Sequence, residues 1–513
     1  MLVTEGALTS GSLSGGNNTA VGSGSLAANT SASQNTAVGR NALNLNTTGA
    51  NNLAVGHAAL SVSTTGDDNT ALGKSALTSN TTASNNTAIG RSALLANTTG
   101  ERNIAIGSYA LDANTTAVEN VAVGYNALTA NTTGTRNVCV GNYALEATVT
   151  GTNNAAFGSH ALSSNTGSNN TACGDGSLAA NTTGSSNVAM GSGALDANTT
   201  GDQNTSIGRN ALGANTTASN NTAVGRNSLF SNTTGSSNSA FGQRALAGNT
   251  TASNNTAVGH EALYVNTTGT NHVAVGAYAL DANTTGSSST AVGIYALTSN
   301  TTGAENVAIG RQSLFSNTTA NDNISIGVNT MYANTTGKRN VAVGSAGLGQ
   351  NTTADNNTAV GYLSLYGNTT GASNTAVGAN ALVSNTTGSP NTAVGAFCLD
   401  ANTTGVRNSA LGYYALGASS TGVNNSAFGD SALASNTTAN DNNAFGYNAL
   451  TANTTGTQNV AVGSYALDDN TTASYNTGIG YAALDANTTG TQHVAVGALV
   501  LQEIIIQDWD MFL

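Results

Sequence analysis

The sequence predicts an all-β protein built as a β-solenoid, in which a short strand returns once per coil and pairs in parallel with its neighbours. The first observation is a period of 17 residues, marked by a recurring glycine (Gly22, Gly39, Gly56 and onward). One step is shorter: Gly158 and Gly174 lie 16 residues apart. These glycines count 29 copies in 513 residues. A fixed short period indicates a repeat architecture, which lengthens without needing a larger core.

The second observation is an alternating segment before each glycine, of the type N-T-A-V-G. In one copy, the small Ala88 stands between Thr87 and Ile89. Alternation with a period of two is a strand signal. A helix is disfavoured because each copy carries glycine, asparagine and β-branched residues. We therefore predict two short strands and two turns per coil, with each coil adding about 4.8 Å to the stack.

The third observation is a leucine column, interrupted only by Met331. A close-packed interior is sensitive to single methylene changes, so such a column is expected to be buried. The candidate core leucines are Leu94, Leu111, Leu128 and Leu212.

A second apolar column belongs to the other face of the strand and includes Ile89, Ile106 and Val123. If leucine and alanine fill the coil, this column must pack against something else. Each copy also offers too little apolar surface for an independent core. We therefore expect a homotrimer, intertwined or side by side, with this second column along its axis.

The tandem N-T-A-V-G-x-x-A-L-x-x-N-T-T-G copies, from about residue 7 to residue 501, resemble the repeats of tail fibres of phages, cyanophages especially. Their N-T-A-V-G and N-V-A-I-G cores are also similar to the head repeats of trimeric autotransporter adhesins. The resemblance implies a left-handed parallel β-roll, three chains around one axis, and binding to cell surfaces.

The period divides the chain into three parts: residues 1–16, an N-terminal cap or the start of the first coil; residues 17–501, the repeat solenoid; and residues 502–513, a C-terminal apolar cap or attachment segment. The first residues carry neither a basic n-region nor an apolar h-region, so we expect no signal peptide in this sequence. No apolar run is long enough to span a bilayer, so we expect no membrane insertion.

Two asparagine columns recur once per copy. One opens the strand (Asn86, Asn103) and the other opens N-T-T (Asn97, Asn114). We interpret both as hydrogen-bonded ladders that close the turns. N-glycosylation is an alternative, because N-T-T and N-N-T match the acceptor pattern. A third interpretation, ice binding, would use the regular threonine pairs.

The two residues after each glycine vary most, and they include tyrosine and arginine. Exposed aromatic residues often contact partners, and the alternative is an unselected surface. The candidate surface-contact residues are Tyr109, Tyr125, Tyr143, Tyr413 and Tyr414.

Composition argues against several functions. Only 7% of residues are charged and the net charge is −12, so we expect no nucleic-acid partner. Histidine and aspartate show no catalytic or metal-ligand spacing, so we predict no enzyme, metal or cofactor. The three cysteines, Cys139, Cys173 and Cys398, are interpreted as small buried apolar residues.

The sequence thus predicts a structural fibre shaft or adhesin of the virion or extracellular surface, most simply a phage-type tail fibre. Its partners would be identical chains and a cell-surface glycan or protein receptor. The alternatives are a self-assembling extracellular filament, glycosylated or not, and an ice-binding solenoid.

Overall fold

One three-residue strand per copy is the repeating element of the fold. The computed structural model describes residues 15–500, which form strands, turns and bends. The chain divides into two units, residues 1–255 and residues 256–513. The caps predicted for residues 1–16 and 502–513 fall outside the described residues, except for Gly15 and Gly16.

The strands of residues 15–255 are β1 (Thr19–Val21), β2 (Thr36–Val38), β3 (Leu53–Val55), β4 (Thr70–Leu72), β5 (Thr87–Ile89), β6 (Ile104–Ile106), β7 (Val121–Val123), β8 (Val138–Val140), β9 (Ala155–Phe157), β10 (Thr171–Cys173), β11 (Val188–Met190), β12 (Thr205–Ile207), β13 (Thr222–Val224) and β14 (Ser239–Phe241).

The strands of residues 256–500 are β15 (Thr256–Val258), β16 (Val273–Val275), β17 (Thr290–Val292), β18 (Val307–Ile309), β19 (Ile324–Ile326), β20 (Val341–Val343), β21 (Thr358–Val360), β22 (Thr375–Val377), β23 (Thr392–Val394), β24 (Ser409–Leu411), β25 (Ser426–Phe428), β26 (Asn443–Phe445), β27 (Val460–Val462), β28 (Thr477–Ile479) and β29 (Val494–Val496).

Within each unit every strand pairs in parallel with the next, and equivalent residues lie opposite each other. Ala88 pairs with Ala105 between β5 and β6, and Ala359 pairs with Ala376 between β21 and β22. Because the register does not slip within either unit, equivalent strand residues of successive coils lie in columns. The predicted all-β parallel solenoid is confirmed; its handedness stays a prediction.

The prediction of a second strand in each coil is wrong. In the A-L segment the backbone repeatedly takes left-handed conformations, with φ of 56° at Ser92 and 50° at Leu94. Such residues cannot extend a strand. The segment still bonds to both neighbouring coils: Leu94 N–H donates to the carbonyl of Ala110 (3.0 Å) and Ser92 N–H to that of Lys74 (2.9 Å).

The strand-ending glycine is required by conformation and by space. Gly90 has a φ of 134°, and a Cβ on it would lie 2.5 Å from the carbonyl oxygen of Gly107 in the next coil. No other residue fits this position without moving the backbone, which explains why the glycine marks the period.

The 16-residue step is absorbed in the turn after Asn165. There the Asn165 side chain bonds the carbonyl of Gly167, two residues on, at 2.9 Å. In the following coil Asn181 bonds Gly184, three residues on, at 2.8 Å. Strands β9 and β10 keep their register, with Ala156 opposite Ala172. The turn therefore shortens without disturbing the sheet.

Candidate interaction surfaces

The inside of each coil is filled by leucine and alanine. The leucines named above, Leu94, Leu111, Leu128 and Leu212, are all completely buried. Cys139 and Cys398 take alanine positions in this core, and burial raises the pKa of each thiol to about 12. Cys173 is exposed, so its interpretation as a buried residue is wrong: it lies on the outward face of β10.

The two asparagine columns are buried and converge on one carbonyl. Asn103 Nδ2 donates to the Ala117 carbonyl at 2.8 Å, and Asn114 Nδ2 donates to the same oxygen at 3.2 Å. Between coils, Asn103 N–H donates to Asn86 Oδ1 (2.9 Å), and Asn114 Nδ2 donates to Asn97 Oδ1 (2.7 Å). Each amide thus closes its own coil and links it to the one before.

The hydrogen bonds of the asparagine and threonine side chains bear on two alternative functions, N-glycosylation and ice binding. Asn97 and Asn114 are fully buried, so a glycan on either would have no room in the folded coil. The first threonine of the pair is half-buried, and Thr98 donates its hydroxyl to the Thr115 carbonyl at 3.0 Å. The second threonine, such as Thr99, is exposed, whereas the first is exposed in only a few coils, as at Thr182 and Thr488. The exposed threonines therefore form mainly a single file rather than a two-dimensional array.

His272 replaces a strand-opening asparagine and takes over its bonds. Its Nε2 lies 2.6 Å from the Gly286 carbonyl, and Ser289 N–H donates to its Nδ1 at 3.2 Å. Burial lowers the pKa of His272. The neutral imidazole is the form that fits, because Nδ1 must accept a hydrogen bond.

The outward face of the sheet is an apolar strip. We define the apolar strip as the side chains that directly precede the strand-ending glycines. In residues 15–255 they are Val21, Val38, Val55, Leu72, Ile89, Ile106, Val123, Val140, Phe157, Cys173, Met190, Ile207, Val224 and Phe241. In residues 256–500 they are Val258, Val275, Val292, Ile309, Ile326, Val343, Val360, Val377, Val394, Leu411, Phe428, Phe445, Val462, Ile479 and Val496.

None of these side chains is buried in the single chain; Ile106, for example, is 37% exposed. None of the strands in residues 15–500 carries a charged residue. Larger members stack on each other, as Phe428 and Phe445 do with ring centroids 4.9 Å apart. Ile89, Ile106 and Val123 therefore lie outside the core of their own coils.

A second surface is formed by the two residues after each strand-ending glycine, which we call the post-glycine edge. Tyr125 lies here, 44% exposed, between Tyr109 and Tyr143 of the neighbouring coils. Tyr413 and Tyr414 are also exposed, and Phe397 lies 6.0 Å from the Tyr413 ring. The aromatic residues of this edge thus contact each other from coil to coil.

The sequence interpretation overlooked the basic residues of the same edge. Arg40, His57, Lys74 and Arg91 each directly follow a strand-ending glycine, in four successive coils. The sequence shows these residues as one basic side chain per period over four copies. The sequence interpretation considered only the net charge of the whole chain, which is acidic.

We also examined the described residues for a metal site, a ligand cleft and a membrane-spanning helix. Within residues 15–500, no group of three or more His, Cys, Asp or Glu side chains is arranged to hold a metal ion. A cleft of about 200 Å³ lies at the last described coil, lined by residues including Leu484, Asn487 and His493. In the part of the chain that the structure describes, no helix is long and apolar enough to cross a membrane.

Comparison with known proteins adds no family. No family model matches the sequence, and no curated protein matches it.

Proposed function

We propose that this chain is a structural fibre or adhesin shaft: a homotrimer of the phage tail-fibre type that attaches to a host cell surface. The observation that supports this proposal is the apolar strip. Every described strand contributes one apolar, partly exposed side chain to it, and no charge interrupts it.

A strip of this kind favours burial against another chain. Neighbouring strands place its side chains about 4.8 Å apart, so within each unit they form one continuous surface. Monomeric proteins rarely expose contiguous apolar patches larger than a few hundred Å². Lateral packing would remove this surface from water.

An identical chain is the best-matched occupant. It carries the same column at the same spacing, so apolar side chains meet at every coil without a change of register. The described strands β1 to β29 hold no charged residue, so their packing against another chain would bury no unpaired charge. That three chains associate, rather than two, is supported by the resemblance of the repeats to trimeric fibres and adhesin heads.

The post-glycine edge is proposed as the attachment surface. Its residues vary from coil to coil and include exposed tyrosines such as Tyr125 and Tyr413, whereas the core and ladder positions are nearly constant. A surface that varies on a constant scaffold is suited to recognition of a receptor, whether glycan or protein.

One substitution on the apolar strip, with a matched control, tests the assembly. Ile309 lies on the strip and is 38% exposed, whereas Ile294 lies on the post-glycine edge and is 51% exposed. Ile309→Lys should weaken chain association in sedimentation, because the ammonium group would be buried between chains. Ile294→Lys should associate as the unmodified protein does. Equal association of both variants would contradict the proposal.

A further inference from the structure

The post-glycine edge of the first coils carries a file of basic side chains. Arg40, His57, Lys74 and Arg91 follow the strand-ending glycine in four successive coils, and all four are exposed. The chain has only 12 lysines and arginines in 513 residues, and three of them lie at this position within these four successive coils. The same column holds three more, Arg209, Arg226 and Arg311, farther along the chain.

The backbone holds this file in register. The carbonyls of Arg40, His57 and Lys74 accept hydrogen bonds from Ala58, Ser75 and Ser92, each at 2.9 Å. The Arg91 carbonyl accepts from Tyr109 N–H at the same distance. The basic side chains therefore start from fixed points, one per coil and about 4.8 Å apart.

Few carboxylates accompany these cations. Residues 15–100 contain two acidic residues, Asp67 and Asp68, although the whole chain has a net charge of −12. Both lie in the turn before a strand, and Asp67 accepts a hydrogen bond from Ala50 N–H at 2.7 Å. Like charges stacked coil over coil repel each other, so an external anion would relieve an unfavourable arrangement.

Aromatic rings extend the same edge over the next four coils. The guanidinium of Arg91 lies 5.4 Å from the centre of the Tyr109 ring. Tyr109, Tyr125 and Tyr143 follow, with successive rings inclined at 87° and 79°. The Tyr143 ring then stacks on His160 at 5.1 Å. Basic and aromatic segments thus form one continuous edge.

We propose that this edge, from Arg40 to His160, binds a linear acidic polysaccharide lying along the solenoid. The cations would pair with its anionic groups, and the tyrosines would offer ring surface and hydroxyl groups to its sugars. The inference gives a ligand class to the proposed attachment surface and rests on that function. A sugar unit is comparable in length to the coil spacing, so a chain with one anionic group per sugar can meet Arg40, Lys74 and Arg91 in turn, with His57 lying between Arg40 and Lys74.

Nucleic acid is the less suitable polyanion. Single strands bind proteins through aromatic faces on which successive bases stack. Here Tyr109, Tyr125 and Tyr143 meet edge to face, so their faces do not form a common stacking platform.

The test is a binding titration of the full chain with polygalacturonate, which carries one carboxylate per sugar, beside uncharged dextran. We expect saturable binding to polygalacturonate that weakens as salt is added, and no binding to dextran. The variant Arg40→Gln/Lys74→Gln/Arg91→Gln should bind about tenfold more weakly, because three exposed ion pairs are lost. Glutamine is already present in this column, at Gln243.

The matched control is Arg102→Gln/Arg136→Gln/Arg339→Gln, which changes the net charge equally. These arginines lie on the turn before the strand, where Arg102 and Arg136 pair with Glu119. The control should keep its affinity. Equal weakening of both variants, no binding by the unmodified chain, or tighter binding of a thymidine oligonucleotide than of polygalacturonate would overturn the proposal.

The tyrosines need their own variant. Tyr109→Asn/Tyr125→Ser/Tyr143→Asn places residues that already occupy these columns in other coils, so the fold should be retained. We expect weaker binding with an unchanged salt dependence; unchanged affinity would contradict the aromatic half of the proposal.

The native mass of each sample separates this inference from the fibre proposal. Polysaccharide binding by a monomer would refute the trimer alone, whereas an intact trimer that fails to bind would refute the binding site alone.

Discussion

Leucine occupies a left-handed backbone position in the core of these coils. Leu212 has a φ of 50° and is completely buried. The left-handed conformation costs roughly 1–2 kcal/mol, whereas burial of a leucine side chain stabilises by about 1.5–3 kcal/mol. Burial therefore offsets the strain, and glycine, which avoids the strain, would forfeit the packing.

The first prediction tests this core. Leu212→Asp should open its coil, because an unpaired charge would enter the interior, and we expect destabilisation of about 4 kcal/mol or more. Thermal melting and limited proteolysis would measure it. The control, Arg209→Asp, changes an exposed residue of the same coil and should have little effect. If the melting temperature of Leu212→Asp were unchanged, the leucine column would face solvent rather than the interior of the coil, and our assignment would be wrong.

The second prediction concerns pH and His272. Burial lowers the pKa of the folded imidazole below its ordinary 6.5, so the unfolded chain binds the proton more readily. The stabilisation of the folded chain by neutral His272 is therefore fully present above pH 6.5. It is lost as the pH falls below this value, because protonation favours the unfolded chain.

His272→Asn should restore the asparagine ladder at this coil and remove the part of the pH dependence of stability that His272 causes. Melting at neutral and mildly acidic pH should show a smaller acid-induced loss in His272→Asn than in the unmodified chain. His57→Asn, which changes an exposed histidine, serves as the control. An identical pH dependence of His272→Asn and the unmodified chain would contradict a neutral His272 in the ladder.

At the scale of the element, strand and turn differ in their tolerance of length changes. The turn after Asn165 is one residue short, yet β9 and β10 keep their register. A strand cannot do this, because one added residue turns every following side chain to the other face.

The third prediction follows from this difference. One threonine inserted after Thr166 restores the common turn and should leave melting nearly unchanged. One residue inserted between Ala172 and Cys173 lies inside β10 and should disrupt the stacking of the next coils. Thermal melting and protease mapping compare the two, and equal behaviour would show that strand and turn are misplaced.

How much could be predicted from the sequence differs between elements. The solenoid, the strand before Gly90 and its parallel pairing were predictable, because a fixed period and strict alternation leave little choice. The second strand was not: Leu94 and Ser92 suit an extended chain by composition, and their left-handed conformations arise from coil closure. The basic residues of the post-glycine edge were missed because the net charge sums over the whole chain. The fold, in contrast, places these residues together in one column, away from most of the acidic residues.

At the scale of the whole molecule, the apolar strip is the feature that a single chain leaves unsatisfied. The core leucines and the buried asparagines complete each coil internally, whereas the strip has no partner column within its own coil. The association of identical chains that we propose therefore rests on the outward face of the strand, not on the core.

The native mass of the dilute protein, measured by light scattering, tests this claim most directly. We predict three times the mass of one chain, persisting on dilution until the chains unfold, because separation would expose the strip along all the coils. A folded monomer that remains stable at low concentration would contradict the account.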